Sequence, residues 1–259
     1  MKSRNPVIKF DDLQMYFGNP YVIDLPSAAG SITIYQPSFN DIIQMGQTKF
    51  FASIDCLAAN TTAYRLPLWE MGLDWNEFKD YHLFLMLYKN VDPDVSKLIF
   101  HDFDISTFEI FEKKKDGENE DIILYNEELE IEINEDVYHH LSQFLRKIFS
   151  ISADEKITSD PIMKEWFITK DKRQREIDKE KKGKGKEVKT SILSLISTCV
   201  NHPGFKYNIQ QLRDITMFQF YDAVRRLQIY ENSTAVLKGM YSGFVDSKKI
   251  SADSYNFMR

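Results

Sequence analysis

The stretch of sequence that decides the fold is residues 129–148, LEIEINEDVYHHLSQFLRKI. Its first five residues alternate apolar and acidic side chains, which predicts a β-strand with one buried face and one wet face. Asn134 follows as a helix cap, and Glu135 and Asp136 place negative charge in the first helical turn. Apolar side chains then recur at helical spacing and predict one buried stripe: Val137, Leu141, Phe144, Leu145 and Ile148.

Upstream of this stretch, the sequence predicts more β-structure. Residues 106–133 are typical of a three-stranded meander, with strands at Thr107–Phe111, Ile122–Tyr125 and Leu129–Ile133. A hairpin is predicted at residues 20–36, around turn residues 26–30. Ser38 and Asp41 then resemble a capping box, which begins a helix that Gly46 ends. The β-structure is therefore expected within the first 135 residues or so.

Asp74–Asn90 is predicted as a helix with Asp74 as its N-cap. Residues 82–88 are apolar nearly all round, so this helix needs cover on more than one side. That cover is either ordinary core or a partner protein, and the sequence leaves both open. On the partner interpretation, the candidate binding residues here are Phe84, Leu87 and Tyr88.

The sequence after Asn134 is typical of helices and a linker. A helix begins near Ile162, and residues 169–190 are predicted as a charged flexible linker because they have no apolar face. Helices are predicted at Ile192–Val200 and from Asp214 to about Lys238. The candidate partner-binding residues in this part are Phe218, Tyr221 and Tyr241.

These patterns predict an α+β fold, with small antiparallel β elements and helices at the N-terminus and an α-helical C-terminal region. The predicted division is a mixed domain at residues 1–168, the linker at 169–190, and a helical domain at 191–259. The start of the sequence has no secretory signal, and no apolar run is long enough to span a membrane. We therefore expect a soluble intracellular protein, with Cys56 and Cys199 as buried thiols.

No motif in the sequence predicts an enzyme. Phosphate-binding loops, the Gly-x-Ser-x-Gly elbow and His-Glu-x-x-His are missing. His202 follows Cys199 by three residues, but a zinc site needs a second such pair. Asp102 and Asp104 lack the glycine and glutamate of a calcium loop. His139 and His140 are neighbours on a helix and point in different directions. We therefore expect no catalytic, cofactor-binding or metal-binding residues.

Several segments resemble proteins from the tail-morphogenesis gene clusters of tailed bacteriophages, namely tail assembly chaperones and baseplate-hub assembly proteins. The resemblance covers about the last hundred residues, and the first half resembles them in outline, with Tyr35–Ser38 entering a helix. The segments that carry it are ILSLISTCVNHPGFKY (residues 192–207), FQFYDAVRRL (218–227) and GMYSG (239–243).

The resemblance implies a factor that binds unassembled tail or tape-measure protein in the host cytoplasm, without a cofactor or a membrane, and with homo-oligomer formation possible. One alternative is a structural component of the tail tip or baseplate, located in the virion. The other is a nucleic-acid-binding protein that uses the Lys-rich segment at residues 181–189, although the net charge of −6 argues against general affinity for phosphates.

Overall fold

The chain has the predicted α+β fold: it is 57% helical, with two small antiparallel sheets in the N-terminal half and a helical C-terminal region. The computed structural model describes residues 8–25, 30–114, 120–152, 157–183, 192–244 and 246–258. The strands are β1 (Tyr21–Asp24), β2 (Ser31–Ile34), β3 (Glu109–Lys114), β4 (Glu120–Asn126) and β5 (Ile131–Ile133).

One short helix precedes the first sheet, and further helices lie between the two sheets and after them. Short 3-10 turns join several of these helices, including one at Tyr88–Asn90. In chain order the α-helices are α1 (Asp12–Tyr16), α2 (Phe39–Met45), α3 (Gln47–Leu57), α4 (Arg65–Glu70), α5 (Asp80–Leu87), α6 (Pro93–Phe100), α7 (Glu135–Ile148), α8 (Pro161–Gly183), α9 (Ile192–Val200) and α10 (Met217–Tyr241).

The predicted hairpin is the β1–β2 sheet. Its strands pair antiparallel with Ile23 opposite Ile32, and both side chains are buried. The predicted turn lies mostly at residues 26–29, outside the described residues. The capping box that follows is also confirmed, because the Asp41 carboxylate accepts a hydrogen bond from the Ser38 backbone N–H while the Ser38 hydroxyl accepts one from the Asp41 N–H.

The predicted meander is the second sheet, in which β4 lies between β3 and β5. All three strand starts differ from the prediction, and β4 begins at Glu120, two residues before the predicted Ile122. β3 begins at Glu109 because Ile105–Thr107 forms a 3-10 turn that the Asp104 carboxylate caps. β5 begins at Ile131 because Glu130 has a left-handed φ of +53°.

Helix α7 forms as the sequence of residues 129–148 predicts. The Asn134 side chain accepts a hydrogen bond from the Val137 backbone N–H at 3.0 Å, and the five apolar stripe residues are all buried. The helix packs against β1, β5, α3, α5 and α10. Residues 129–148 therefore contain the helix at the centre of the core.

The predicted helix from Asp74 is wrong at its start. α5 begins only at Asp80. The Asp74 carboxylate caps a separate turn before this helix. It accepts a hydrogen bond from the Asn76 N–H at 2.9 Å and forms an ion pair with Lys164 of α8. Residues 74–79 therefore form turns that lead into the helix.

Helix α8 extends further than predicted. Residues 169–183, predicted as part of a flexible linker, continue this helix to Gly183. Two ion pairs hold it against α4, Arg65 with Asp171 at 2.6 Å and Arg175 with Glu70 at 2.7 Å. The rest of the predicted linker, residues 184–190, lies outside the described residues, so the domain division stays a prediction.

Helix α10 begins at Met217, not at the predicted Asp214, because Thr216 and Gln219 form a capping box. It also continues through Gly239 to Tyr241. Its buried side chains join a continuous core that reaches from Met15 to Val224 and includes α7 and α9. Cys56 and Cys199 are free thiols and both are buried, as predicted.

Candidate protein-binding surface

The six residues predicted to bind a partner fall in different places. Phe84 and Tyr88 are core residues, and Phe84 stacks on Tyr138 with 4.4 Å between ring centroids. Phe84 and Tyr88 therefore belong to the ordinary core, which is one of the two interpretations that the sequence left open. Leu87 is half-buried beside them, and Tyr241 is exposed at the end of α10.

Phe218 and Tyr221 are brought together on one groove. Both are half-buried on the first turns of α10, and they line a depression between α1, the end of α7 and α10. Leu13 and Tyr16 of α1 form its other wall. The groove therefore joins two residues that the sequence analysis selected to two that it did not.

Helix α1 has one buried side and one exposed side. Asp11 caps it by accepting hydrogen bonds from the Leu13 and Gln14 N–H groups. Met15 is buried in the core, whereas Leu13 is 63% exposed and Phe17, directly after the helix, is 69% exposed. Apolar side chains of this size on an exposed side are typical of a contact surface.

Hydrogen bonds fix α1 against the start of α10. The Gln219 side chain donates from Nε2 to the Tyr16 carbonyl at 2.8 Å, and it also accepts from the Thr216 N–H as part of the cap. Gln36 donates to the Met15 carbonyl at 3.1 Å. Gly18, with φ of +76°, turns the chain out of this contact. The exposed face of α1 is thus held in place by its backbone.

A second groove adjoins the first on the other side of Tyr16. It is lined by residues 204–207, the middle of α10 and Phe257. Gly204 lies against α10, where a Cβ would come within 3.1 Å of Leu227 Cδ1. The His202 Nδ1 accepts a hydrogen bond from the Gly204 N–H at 3.0 Å. The turn is therefore packed onto the helix.

The two grooves share Tyr16, Asp222 and Arg226 and form one surface. Asp222 and Arg226 lie 3.5 Å apart on successive turns of α10 and place charge in the middle of it. Phe17 flanks it through an edge contact with Tyr16. We call this the α1–α10 surface, defined by Leu13, Tyr16, Phe218, Tyr221, Tyr230 and Phe257.

Tyr221 of this surface and Tyr207 beside it keep their phenolic protons at neutral pH, because both have a raised pKa. Burial raises the pKa of Tyr221 above its ordinary value. Burial also raises the pKa of Tyr207, and the neighbouring Tyr16 and Asp222 add to that effect. These phenols therefore present an apolar ring together with a hydroxyl that donates, which is the chemistry that aromatic residues bring to interfaces.

The histidines lie apart from this surface except His202. His139 and His140 diverge, as predicted: His140 Nδ1 lies 2.6 Å from the Tyr21 hydroxyl, whereas His139 lies 2.8 Å from the Gln143 amide. Within the described residues, no three His, Cys, Asp or Glu side chains are placed to hold a metal ion. None of the described helices combines the length and apolar character that crossing a membrane requires.

Sequence reasoning missed the contribution of α1. The signal was present as Asp11 before an apolar run, but a helix of five residues has no periodicity to detect. Its proximity to α10 depends on contacts between residues about two hundred positions apart, such as Tyr16 with Gln219. Only the fold shows these contacts.

Comparison with known proteins gives a match for the C-terminal part. No curated protein and no solved structure matches the chain. Residues 180–258 match the family model described as the YomV second domain, which covers less than a third of the chain. This includes the α10 side of the α1–α10 surface. The family derives from a Bacillus prophage, and the match supports a phage protein without specifying a tail assembly chaperone.

Proposed function

We propose that the protein is a phage tail morphogenesis factor that binds an unassembled tail or tape-measure protein through the α1–α10 surface. The observation that carries the proposal is the group of large exposed side chains there. Leu13 is 63% exposed, Tyr230 54% and Phe257 56%. Exposed aromatic and aliphatic side chains around a few charges are the usual composition of a protein-binding site.

The resemblance to tail-morphogenesis proteins supports the choice of partner, and the prophage family of residues 180–258 supports the phage setting. A long helical protein that is not yet assembled exposes apolar side chains. An amphipathic helix of that kind fits a groove with apolar walls. The fixed position of α1 adds affinity, because little order is lost on binding.

Co-expression with the neighbouring tail gene products tests the proposal. We expect the wild-type protein to increase the soluble fraction of one of them and to co-purify with it. Leu13→Asp combined with Phe17→Asp is expected to weaken this binding by at least about tenfold, because each change puts a charge into an apolar contact. Met71→Asp is the matched control, since Met71 is 59% exposed at the end of α4.

Two results would count against the proposal. If no neighbouring tail gene product gains solubility, the assembly role is wrong. If binding occurs but the Leu13 and Phe17 changes affect it no more than Met71→Asp does, the surface is wrong. Mass spectrometry of purified particles separates the structural alternative, since a virion subunit would be present at a fixed copy number.

A further inference from the structure

Strand β3 is an open edge of the three-stranded sheet. It pairs with β4 along one edge, and no other strand among the described residues pairs with its outer edge. Ile110 and Phe111 in this strand are 49% and 39% exposed. An open edge presents unpaired backbone N–H and C=O groups, so proteins usually shorten or cover such strands. β3 has six residues, which is long enough for another strand to pair with it.

Geometry limits how a second copy of β3 can pair with the first. Successive residues of a strand direct their backbone groups to opposite edges, so only alternate residues hydrogen-bond outward. In a symmetric antiparallel pair, one residue must therefore face its own copy. Otherwise each outward-pointing residue would lie opposite an inward-pointing one. The registers near the middle of β3 are centred on Ile110, Phe111 or Glu112.

The charges of β3 favour the register centred on Phe111. Centring on Glu112 would place two carboxylates opposite each other, which destabilises a strand pair. Centring on Ile110 would place Lys113 opposite residue 107, beyond the end of the strand. Centring on Phe111 places Glu109 opposite Lys113 of the second copy, and the two-fold axis repeats this pair. The strand is therefore complementary to itself in one register.

The charged side chains of β3 are available for this contact. Glu109 is 68% exposed and pairs with Lys89 at 2.9 Å, and Lys113 is 61% exposed and pairs with Glu132 at 2.8 Å. Pairing of two copies would extend each ion pair into a row of alternating charge, Lys89, Glu109, and then Lys113 and Glu132 of the second copy. Opposite charges on neighbouring strands stabilise such a row.

We propose that two copies of the chain associate through β3, antiparallel and with Phe111 on the two-fold axis, to form one continuous six-stranded sheet. A second copy fits better than an unrelated peptide because the charges of β3 complement its own sequence. The paired edge is short compared with the interfaces of permanent dimers, so dissociation is expected in the micromolar range.

Sedimentation of the full-length protein at increasing concentration tests the association. We expect wild type to pass from monomer to dimer, and Lys113→Glu to remain monomeric because Glu109 would then face a carboxylate. Combining Glu109→Lys with Lys113→Glu restores opposite charges between the two strands and is expected to recover part of the dimer affinity. Recovery is only partial because the two changes also set like charges beside Lys89 and Glu132. A wild-type protein that stays monomeric, or a double variant as weak as Lys113→Glu, would overturn the proposal. Circular dichroism confirms that each variant is folded.

A cysteine at the axis tests the register directly. Residues that face each other in an antiparallel pair lie close enough for a disulfide. Under mild oxidation, Phe111→Cys is therefore expected to give a covalent dimer. Ile110→Cys, the matched control, faces residue 112 of the second copy and is expected to give far less. Equal yields from the two variants would contradict the Phe111 register.

Discussion

The Arg146 side chain is buried near the end of α7, although it carries a charge. Its Nε donates to the Ala58 carbonyl at 3.0 Å, its guanidinium also donates to the Ala59 carbonyl, and it forms an ion pair with Asp80 at 2.9 Å. Asp80 also accepts a hydrogen bond from the Thr61 N–H. Arg146 therefore links the end of α3 to the start of α5.

We predict that Arg146→Met destabilises the protein by about 3–5 kcal/mol, because removing one partner of a buried ion pair leaves the other uncompensated. Urea denaturation measures the free energy of unfolding. Lys147→Met is the matched control, since the ion pair of Lys147 with Asp12 is largely exposed and is expected to contribute less than about 1 kcal/mol. Equal effects of the two substitutions would show that the Arg146 network is not structural.

The His140 imidazole gives folding stability a dependence on pH. Burial lowers the pKa of His140 below 6.5, the adjacent His139 lowers it further, and Asp136 opposes both. Between the lowered pKa and the ordinary one, the unfolded chain binds more protons than the folded chain. The contribution of His140 to the free energy of unfolding is therefore fully present above pH 6.5, and it is lost as the pH drops through that window.

We predict that His140→Gln makes the decline in stability from about pH 7 to about pH 5 shallower, because the amide does not titrate. A glutamine also keeps a polar group near the Tyr21 hydroxyl. Thermal unfolding across this pH range measures the slope. If the variant and wild type lose stability equally, then His140 does not cause the dependence.

At the scale of secondary-structure elements, the sequence predicts best where local signals agree. Residues 129–148 combine alternation, a cap and a helical stripe, and α7 forms as these signals predict. Asp74 shows why a single signal fails. It is a good cap residue, but its carboxylate pairs with Lys164, ninety positions away. Asp74 caps a turn, the helix begins six residues later, and no local pattern contains the contact with Lys164.

The charged helix α8 is a second case in which contacts between distant residues, and not a local pattern, determine the structure. Residues 169–183 of this helix lack an apolar face, which favoured a linker, yet pairs such as Arg65 with Asp171 hold it against α4. The α1–α10 surface contains residues that the sequence selected and residues that only a contact between distant positions adds. Phe218 and Tyr221 were candidates from the sequence, whereas Tyr16 joins them only through the contact of its backbone carbonyl with Gln219. Four of the six residues that define this candidate site were therefore beyond the reach of sequence patterns.

At the scale of the whole molecule, the core crosses the linker that the sequence predicts. Phe220 of α10 is fully buried and packs edge-on against Phe39 of α2, with 5.1 Å between ring centroids. The Thr216 and Ser38 backbones also form a β-bridge beside this contact. These contacts join the C-terminal helices to the mixed N-terminal part, so we expect the two to unfold together.

We predict that Phe220→Ala lowers the free energy of unfolding by about 3–5 kcal/mol, because it leaves a cavity in this shared core. The natural tryptophans, Trp69, Trp75 and Trp166, all precede residue 169, so their fluorescence reports unfolding of the N-terminal part. If the core is shared, the substitution in α10 shifts this fluorescence transition and the circular dichroism transition equally. Tyr241→Ala, at an 87% exposed position, is the control and is expected to change stability by less than about 0.5 kcal/mol. A fluorescence transition that stays unchanged in Phe220→Ala would instead mean two independently folding units, divided where the sequence predicts.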